Sequence, residues 1–387
     1  MEQIRERDPN YQIGKGKAEE LVKLVKEFDV NKIIFENDLT PTQVYNLEKL
    51  TGVEAIDRFQ LILEIFSRRA STREANLQIK LANLRHQIPR AKESVRLARQ
   101  GEQPGFRGLG RYEVEVYFEM LKRQMSSVRQ ELYKISSKRK LHRERRTELG
   151  FSLISLAGYT NSGKSTLFKA LTEVPVTISQ GLFTTLTTKT RAAHFNERKV
   201  LLTDTVGFID RLPLELIQSF RSTLEETKSS DAIILLLDAN EPTQVIKSKY
   251  KVCINTINEI GAGHVPIITA LNKIDRLTTS ELNKKTLKLE SETDNLVQIS
   301  ALNKINLNKL IKAVNDNLEA FIEVTFSIPL NNKTMAFLSS LYKKDVIVDL
   351  KYKEKNAVLR TSSKTWIINR IRSQVNKLKG EIMEPPI

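Results

Sequence analysis

The segment that most constrains the fold of this chain is residues 158–165, which read GYTNSGKS and directly follow the apolar run 151–157. The pattern GxxxxGK[ST] between a buried strand and a helix is typical of a phosphate-binding loop, because its backbone N–H groups and the helix N-terminus face the anion. Without those flanks it would be a glycine turn with an incidental lysine. The candidate phosphate contacts are Gly158, Tyr159, Thr160, Asn161, Ser162, Gly163, Lys164, Ser165 and Thr166.

Two residues of this loop and two from a later strand end complete the expected phosphate chemistry. Lys164 can reach the β- and γ-phosphates, and the Ser165 hydroxyl can ligate Mg²⁺. Asp204 ends the apolar strand 200–203, where a carboxylate holds Mg²⁺ through water. Gly207 follows in an Asp-x-x-Gly pattern, and its N–H is expected to meet the γ-phosphate. The pattern predicts a magnesium-dependent nucleoside triphosphate site.

Two later strand ends indicate which base is bound. Asn272, Lys273 and Asp275 close the apolar run 266–271. Asp275 can accept from both N–H groups on the guanine edge, and the Lys273 stem can cover the ring. Adenine presents the opposite pattern, so a buried Asp275 would face an acceptor. After the strand 296–299 come Ser300, Ala301 and Leu302, which are expected to supply a backbone N–H for the guanine carbonyl. Four motifs in this order, each closing a strand, predict that GTP, GDP and Mg²⁺ bind.

Composition narrows the class of protein. A chain of 387 residues predicts several domains, and its single cysteine, Cys253, fits a reducing, cytoplasmic setting. No apolar run approaches the ~20 residues that span a bilayer, so no membrane is required. The net charge of +16 predicts a polyanionic partner, nucleic acid before membrane.

Most of this charge lies in residues 67–149, which contain 21 Lys/Arg and 9 Asp/Glu. Two apolar runs in steps of three and four flank the glycine-rich stretch 101–110, which predicts an antiparallel coiled-coil hairpin. A solvated, charge-rich surface is the plainer interpretation, but the excess of positive charge favours an arm that contacts phosphates of folded RNA. The two runs are Leu77, Leu81, Leu84, Ile88, Ala91, Val95, Ala98 and Val114, Phe118, Leu121, Met125, Val128, Leu132, Ile135.

The full pattern predicts a multidomain α/β protein. Residues 1–66 form a small α/β subdomain and residues 67–149 the basic antiparallel coiled-coil hairpin. Residues 150–320 form a doubly wound P-loop GTPase sheet, with six strands separated by helices and the phosphates at its carboxyl edge. Residues 321–387 form a βαββα domain, in which Trp366 is expected to anchor the core.

Several long strings resemble the HflX family of ribosome-associated GTPases, within the Obg-HflX superfamily. They are residues 11–17, 61–74, 158–168, 204–209 and 219–226. The resemblance implies binding to the large ribosomal subunit and its rRNA through the N-terminal domain. It also implies a role in splitting or rescuing idle ribosomes, including under stress. We expect a cytoplasmic, ribosome-associated monomer.

Two segments depart from the family pattern. The family usually begins with an additional strand and helix, whereas about ten residues precede the GKGK segment here, so a shorter or differently completed N-terminal sheet is expected. The family's glycine-proline-glycine-glutamate loop is only loosely matched by residues 107–112. A contact that this loop makes in the family is therefore not inferred for this chain.

One residue expected to drive hydrolysis is missing from the pattern. Ras-like GTPases place a water-orienting Gln where this chain has Phe208, whose ring cannot bond to water. Slow turnover, accelerated by a partner, is therefore expected, with Phe208 as a hydrophobic gate or as a packing residue. In the switch segment 181–191 the spacing leaves Thr184 and Thr185 open as the Mg²⁺ ligand. The resemblance points to Thr185.

The favoured hypothesis is a GTP-hydrolysing molecular switch whose basic arm engages ribosomal RNA. One alternative is a nucleotide-gated RNA-binding protein with negligible turnover, which Phe208 favours and the full Mg²⁺ set of Ser165, Thr185 and Asp204 disfavours. The other is an Obg-like ribosome-assembly GTPase. That alternative predicts a glycine-rich N-terminal fold, which this sequence lacks.

Overall fold

The computed structural model describes residues 7–99, 111–148, 150–172, 189–196, 198–204, 226–293, 295–342 and 346–383. The chain divides into two compact units. Among the described residues, those up to Ser136 belong to the first and those from Ser137 onward to the second. The domain limits predicted from the sequence remain predictions.

The first unit begins with a small α/β arrangement whose helix ends are set by capping residues. Thr40 caps α2 through a reciprocal box with Gln43, and Gly52 ends that helix at φ 76°. Asp57 caps α3 in the same way with Gln60. The predicted α/β character is confirmed, and β1 and β2 pair in parallel as a two-stranded sheet. The elements are α1 (Lys15–Glu27), β1 (Lys32–Phe35), α2 (Pro41–Thr51), β2 (Glu54–Asp57) and α3 (Arg58–Arg69).

Two long helices follow, α4 (Arg73–Arg99) and α5 (Arg111–Glu148). Arg73, at the start of α4, pairs with Glu131 in the second half of α5 at 2.7 Å. This contact fits two helices that run in opposite directions. This confirms the predicted hairpin. The loop 101–110 and the side chains of Val95, Ala98 and Val114 lie outside the described residues. Heptad positions buried in the seam are Leu81, Leu84, Ala91, Leu121 and Val128.

The second unit contains a six-stranded sheet in the order β4-β5-β3-β6-β7-β8. All neighbours are parallel except β4 and β5, which are antiparallel. The prediction that helices separate all six strands was therefore wrong for this pair. A short connection can join only antiparallel strands, and Asn196 adopts φ 59° within it. The elements are β3 (Ser152–Gly158), α6 (Lys164–Thr172), β4 (Lys189–Phe195), β5 (Arg198–Asp204), β6 (Ala232–Asp238), α7 (Thr243–Glu259), β7 (Ile267–Asn272), α8 (Thr279–Glu290), β8 (Leu296–Gln298) and α9 (Leu307–Asn317).

The middle strands of this sheet are apolar and buried on both faces, as helices on both sides of a parallel sheet require. Their carboxyl ends meet at one edge of the sheet. Leu156 of β3 pairs with Asp204, and Asp238 pairs with Asn272. The polar residues that follow the strands are therefore brought together there.

The remaining residues form an antiparallel sheet in the order β10-β11-β9-β12, covered by two helices. The predicted βαββα order is confirmed, and β12 is an additional strand of three exposed residues that pairs with β9. Trp366 is 39% exposed, so its prediction as a core anchor was wrong. The neighbouring Ile367, Ile368 and Ile371 supply the buried side of its helix instead. The elements are β9 (Phe321–Pro329), α10 (Asn332–Tyr342), β10 (Ile347–Tyr352), β11 (Asn356–Lys364), α11 (Thr365–Lys377) and β12 (Glu381–Met383).

Polar contacts join this sheet to the six-stranded one. Lys364, at the end of β11, pairs with Asp231 at 2.7 Å, and the other oxygen of Asp231 accepts from the backbone N–H of Leu153 at 2.7 Å. The Arg198 guanidinium lies 3.9 Å from the ring centre of Phe321. None of the helices in the described part of the chain has the length and apolar character needed to cross a bilayer.

Candidate nucleotide-binding site

The loop after β3 has a backbone that only small residues allow. Gly158 has φ 137°, and a Cβ added there would lie 2.4 Å from the carbonyl oxygen of Leu236. Gly163 has φ 99°, and its added Cβ would lie 2.2 Å from Nδ2 of Asn272. Asn161, between them, is left-handed at φ 64°. The glycines thus let the loop pack directly on β6 and on the residue that ends β7.

Lys164 lies within this loop rather than in solvent. The residue is 7% exposed, and its Nζ donates to the carbonyl oxygens of Gly158 at 2.9 Å and Tyr159 at 2.8 Å. Burial lowers the pKa of Lys164 to about 8, while the nearby carboxylate of Asp204 acts in the opposite direction. The ammonium is therefore held where phosphates would replace weak carbonyl partners with anionic ones.

The two described residues predicted to hold Mg²⁺ lie side by side. The Ser165 hydroxyl donates to Oδ2 of Asp204 at 3.0 Å, although one residue starts α6 and the other ends β5. Asp204 is 2% exposed. A hydroxyl and a carboxylate oxygen are hard donors that suit Mg²⁺. The predicted partners Thr185, Gly207 and Phe208 lie outside the described residues.

Asn272 links the phosphate loop to the predicted base-binding loops. Its buried side chain donates from Nδ2 to the carbonyl of Ser162 at 2.8 Å and accepts at Oδ1 from the N–H of Ala301 at 2.9 Å. Asp275 accepts from the Ser300 hydroxyl at 2.6 Å, which fixes the orientation of its carboxylate. These contacts bring three separate motifs into one arrangement. That a backbone N–H of residues 300–302 donates to a guanine carbonyl stays a prediction, and the N–H of Ala301 is already donated to Asn272.

The remaining predicted residues differ in their exposure. Tyr159 is 8% exposed, and Thr160 and Thr166 are half-buried within the same loop and helix start. Leu302 is 67% exposed. In the portions of the chain that are described, no group of three or more His, Cys, Asp or Glu forms a further candidate metal cluster.

Asp238, which ends β6 between two predicted motifs, was not predicted as a site residue. Its Oδ2 lies 2.6 Å from Nζ of Lys273, a residue held at φ 68°. A hydrogen bond also holds the loop after Asp238 in place, because Lys285 donates to the carbonyl of Ala239 at 2.6 Å. Asp238 therefore positions the lysine predicted to cover the base. The rule that found Asp204, a carboxylate at the end of a buried strand, applies equally to Asp238.

We expect Gly163→Ala to weaken both folding and GDP binding. The substitution combines a left-handed backbone with a Cβ only 2.2 Å from Asn272 Nδ2, so the bond from Asn272 to Ser162 must break. The expected loss in the free energy of unfolding is about 2–4 kcal/mol. Urea unfolding and GDP titration measure the two effects.

Gly261→Ala is the matched control for that experiment. Gly261 has a similar φ of 77°, but the nearest atom to its added Cβ is the flexible Lys228 Nζ at 3.6 Å. The Gly261→Ala variant should therefore lose only about 1 kcal/mol of the free energy of unfolding, from backbone strain, and its GDP affinity should be unchanged. Equal losses in the two variants would contradict the steric argument.

Comparison with protein families matches three consecutive parts of the chain. Residues 1–67 match a GTP-binding GTPase N-terminal region, residues 69–146 a GTP-binding GTPase middle region, and residues 153–273 a 50S ribosome-binding GTPase domain. The third match contains the phosphate loop, Asp204 and Asn272, and it ends at Lys273.

Comparisons over most of the chain give relatives named GTPase HflX. A protein named GTPase HflX from Methanocaldococcus jannaschii is 40% identical over 369 residues, covering 95% of this chain and 90% of its own. GTPase HflX from Thermococcus kodakarensis is 45% identical over 285 residues, covering 74% of this chain and 64% of its own, less than two thirds of that relative. A solved GTP-binding protein from Sulfolobus solfataricus in complex with GDP is 28% identical, covers 80% of this chain and 86% of its own, and has a TM-score of 0.44.

Proposed function

Because the chain belongs to the HflX family of GTPases, we propose that it is a GTP-hydrolysing switch that binds the large ribosomal subunit in the cytoplasm. Its action there is to split or rescue idle ribosomes. The nucleotide-binding part of this proposal rests on the position of Asn272, whose side chain bonds to both the phosphate loop and the loop of Ala301. One buried side chain thereby couples the predicted phosphate and guanine sites.

The chain's own residues have separate tasks in this proposal. Lys164 neutralises the β- and γ-phosphates, and Asp275, held by Ser300, accepts from the guanine N–H groups. Ser165 and Asp204, with Thr185, would hold Mg²⁺, which supplies positive charge to the phosphate oxygens. Asp238 keeps Lys273 oriented over the base. GTP and GDP are therefore the nucleotides that the site would bind.

Turnover by the isolated protein is proposed to be slow. Phe208 stands where a water-orienting Gln is found in Ras-like GTPases, and a phenyl ring neither donates to water nor accepts from it. A partner that orders the segment around Phe208, or supplies a polar group, would then raise the hydrolysis rate. The large ribosomal subunit is the proposed partner.

The described part of the hairpin supports contact with RNA. Its described heptad side chains pack in the seam, and many of its basic side chains are exposed on the outer surface. Such a surface can contact phosphates without reading sequence, and it makes binding depend strongly on salt. The exposed basic residues with described side chains include Lys80, Lys122, Arg123, Arg129, Lys134 and Lys138.

The test is the steady-state rate of GTP hydrolysis with and without purified large ribosomal subunits. We expect a low basal rate, a large increase on adding subunits, and loss of that increase as salt rises. Replacing Arg129 and Lys134 together by Glu should weaken subunit binding more than tenfold while leaving the basal rate unchanged.

Lys351→Glu with Lys355→Glu is the matched control, because both residues are exposed but lie in the β10–β11 hairpin. That variant should retain subunit binding. Tight subunit binding with an unchanged, near-zero rate would favour the nucleotide-gated RNA-binding alternative. No response of either rate or binding would overturn the ribosomal assignment.

A further inference from the structure

The helical face of the C-terminal sheet has an unusual distribution of charge. Helices α10 and α11 together contain no Asp or Glu, and their basic side chains are all exposed. The described carboxylates between residues 321 and 383 instead lie on the strands and one turn, at Glu323, Asp349, Glu354 and Glu381. The basic residues of the two helices are Lys333, Arg370, Arg372 and Lys377. A polyanion fits the described part of this face electrostatically, because its two helices carry basic side chains and no acidic ones.

A groove opens on the same face between the two helices. Its floor is apolar and buried, and its rim carries Ser340, Arg370 and Gln374 beside the half-exposed ring of Trp366. Trp366, Arg370 and Gln374 are spaced by four residues on α11, so they follow one stripe of that helix. The floor is formed by Phe337, Leu341, Ile367 and Ile371.

The combination of these groups is chemically specific. The indole of Trp366, at the edge of this apolar groove, offers a stacking surface to a planar base. The guanidinium of Arg370, one helical turn away, can bind the adjoining phosphate. The Gln374 amide and the Ser340 hydroxyl can bond to polar atoms on a base edge. Duplex RNA keeps its bases stacked on one another, so only an unpaired nucleotide can use this groove.

We propose that the groove between α10 and α11 binds an unpaired nucleotide of RNA, with the base stacked on Trp366 and its phosphate bound by Arg370. None of its residues belongs to the hairpin or to the GTP site. It goes beyond the proposed function, since it requires neither hydrolysis nor a ribosome. It would give the protein a second RNA contact that selects single-stranded positions, whereas the hairpin contacts phosphates of folded RNA.

The chain offers a direct reporter, because Trp366 is its only tryptophan. The experiment titrates the full-length, GDP-saturated protein with oligouridylate and oligoadenylate of equal length, with duplex RNA, and with polyglutamate. Tryptophan emission is recorded alongside filter binding. We expect saturable quenching by the single strands, no quenching by the duplex, and none by polyglutamate.

Variants separate the groove from other RNA contacts. Arg370→Gln should weaken the quenching isotherm about tenfold and reduce its dependence on salt, since one phosphate contact is lost. Trp366→Ala should weaken single-strand filter binding by a similar factor, since one stacking contact is lost. Lys355→Gln, at an exposed turn on the strand side, should leave both unchanged. Thermal unfolding of each variant checks that the domain remains folded.

Three outcomes would overturn the proposal. Filter binding of single strands with unchanged tryptophan emission would assign the RNA to the hairpin alone. Quenching by polyglutamate but not by RNA would make the groove a docking site for acidic protein segments. Equal quenching by duplex and single strands would remove the requirement for an unpaired base. None of these readouts depends on ribosome-stimulated hydrolysis, so this inference and the proposed function fail separately.

Discussion

We expect Asp275→Asn to reduce GDP affinity about 100-fold or more, since it replaces a charged acceptor of two hydrogen bonds with a half-donating amide. Asp275 is exposed rather than buried as expected, and the Ser300 hydroxyl donates to one of its carboxylate oxygens at 2.6 Å, which favours one orientation of the group. The amide N–H₂ would face the exocyclic amine of guanine, donor against donor. Titration with a fluorescent GDP analogue measures the loss.

The same variant should gain affinity for xanthosine diphosphate. Xanthine carries a carbonyl where guanine carries its amine, and the Asn amide can donate to that oxygen while accepting from the ring N–H. A general loss of folding would weaken both nucleotides, so the inversion distinguishes base recognition from damage. Asp316→Asn, at an exposed position of α9, is the control and should change neither affinity. Unchanged GDP affinity in Asp275→Asn would refute the assignment of Asp275 to the base.

The fold was largely predictable because its signals are local. Uninterrupted apolar runs marked the strands that are buried on both faces, and the glycine-rich stretch between two heptad runs marked the hairpin. Strand β12 escaped prediction because three exposed residues carry no apolar pattern, and only pairing with β9 makes them a strand. Trp366 was wrongly predicted to be a core residue because the prediction relied on residue type rather than on its position on α11. The neighbouring isoleucines of that helix fill the core instead.

The sequence could single out candidate site residues, but not their contacts. Motif spacing made Asn272 and Asp275 candidates, because each ends or follows a buried strand. Spacing carries no information on the partner of a side chain, so the bridge from Asn272 to Ser162, 110 residues away, required coordinates. The same limit applies to Asp238, whose importance comes from its contact with Lys273 across adjacent strands.

Lys164 gives the second large expected effect, a dependence of GDP affinity on pH. Burial lowers its pKa to about 8 in the free protein, whereas bound phosphates favour the ammonium and raise that pKa. Near pH 7 the lysine is protonated in both states, so it adds no pH dependence to the affinity there. Above about pH 8 the free protein must take up a proton to bind GDP, so affinity should fall by up to about tenfold per pH unit. Isothermal titration calorimetry in two buffers with different ionisation enthalpies measures this proton uptake.

The substitution Lys164→Met tests whether that proton belongs to Lys164. It should lower GDP affinity about 100-fold at pH 7, because a buried charge-assisted contact with phosphate is lost. It should also abolish proton uptake above pH 8, which loss of affinity alone would not do. Lys169→Met, on the exposed side of α6, should retain both the affinity and the uptake. Persistent uptake in Lys164→Met would assign the titration to another group. In that case, the burial of Lys164 by the carbonyls of Gly158 and Tyr159 would have no part in how the site responds to pH.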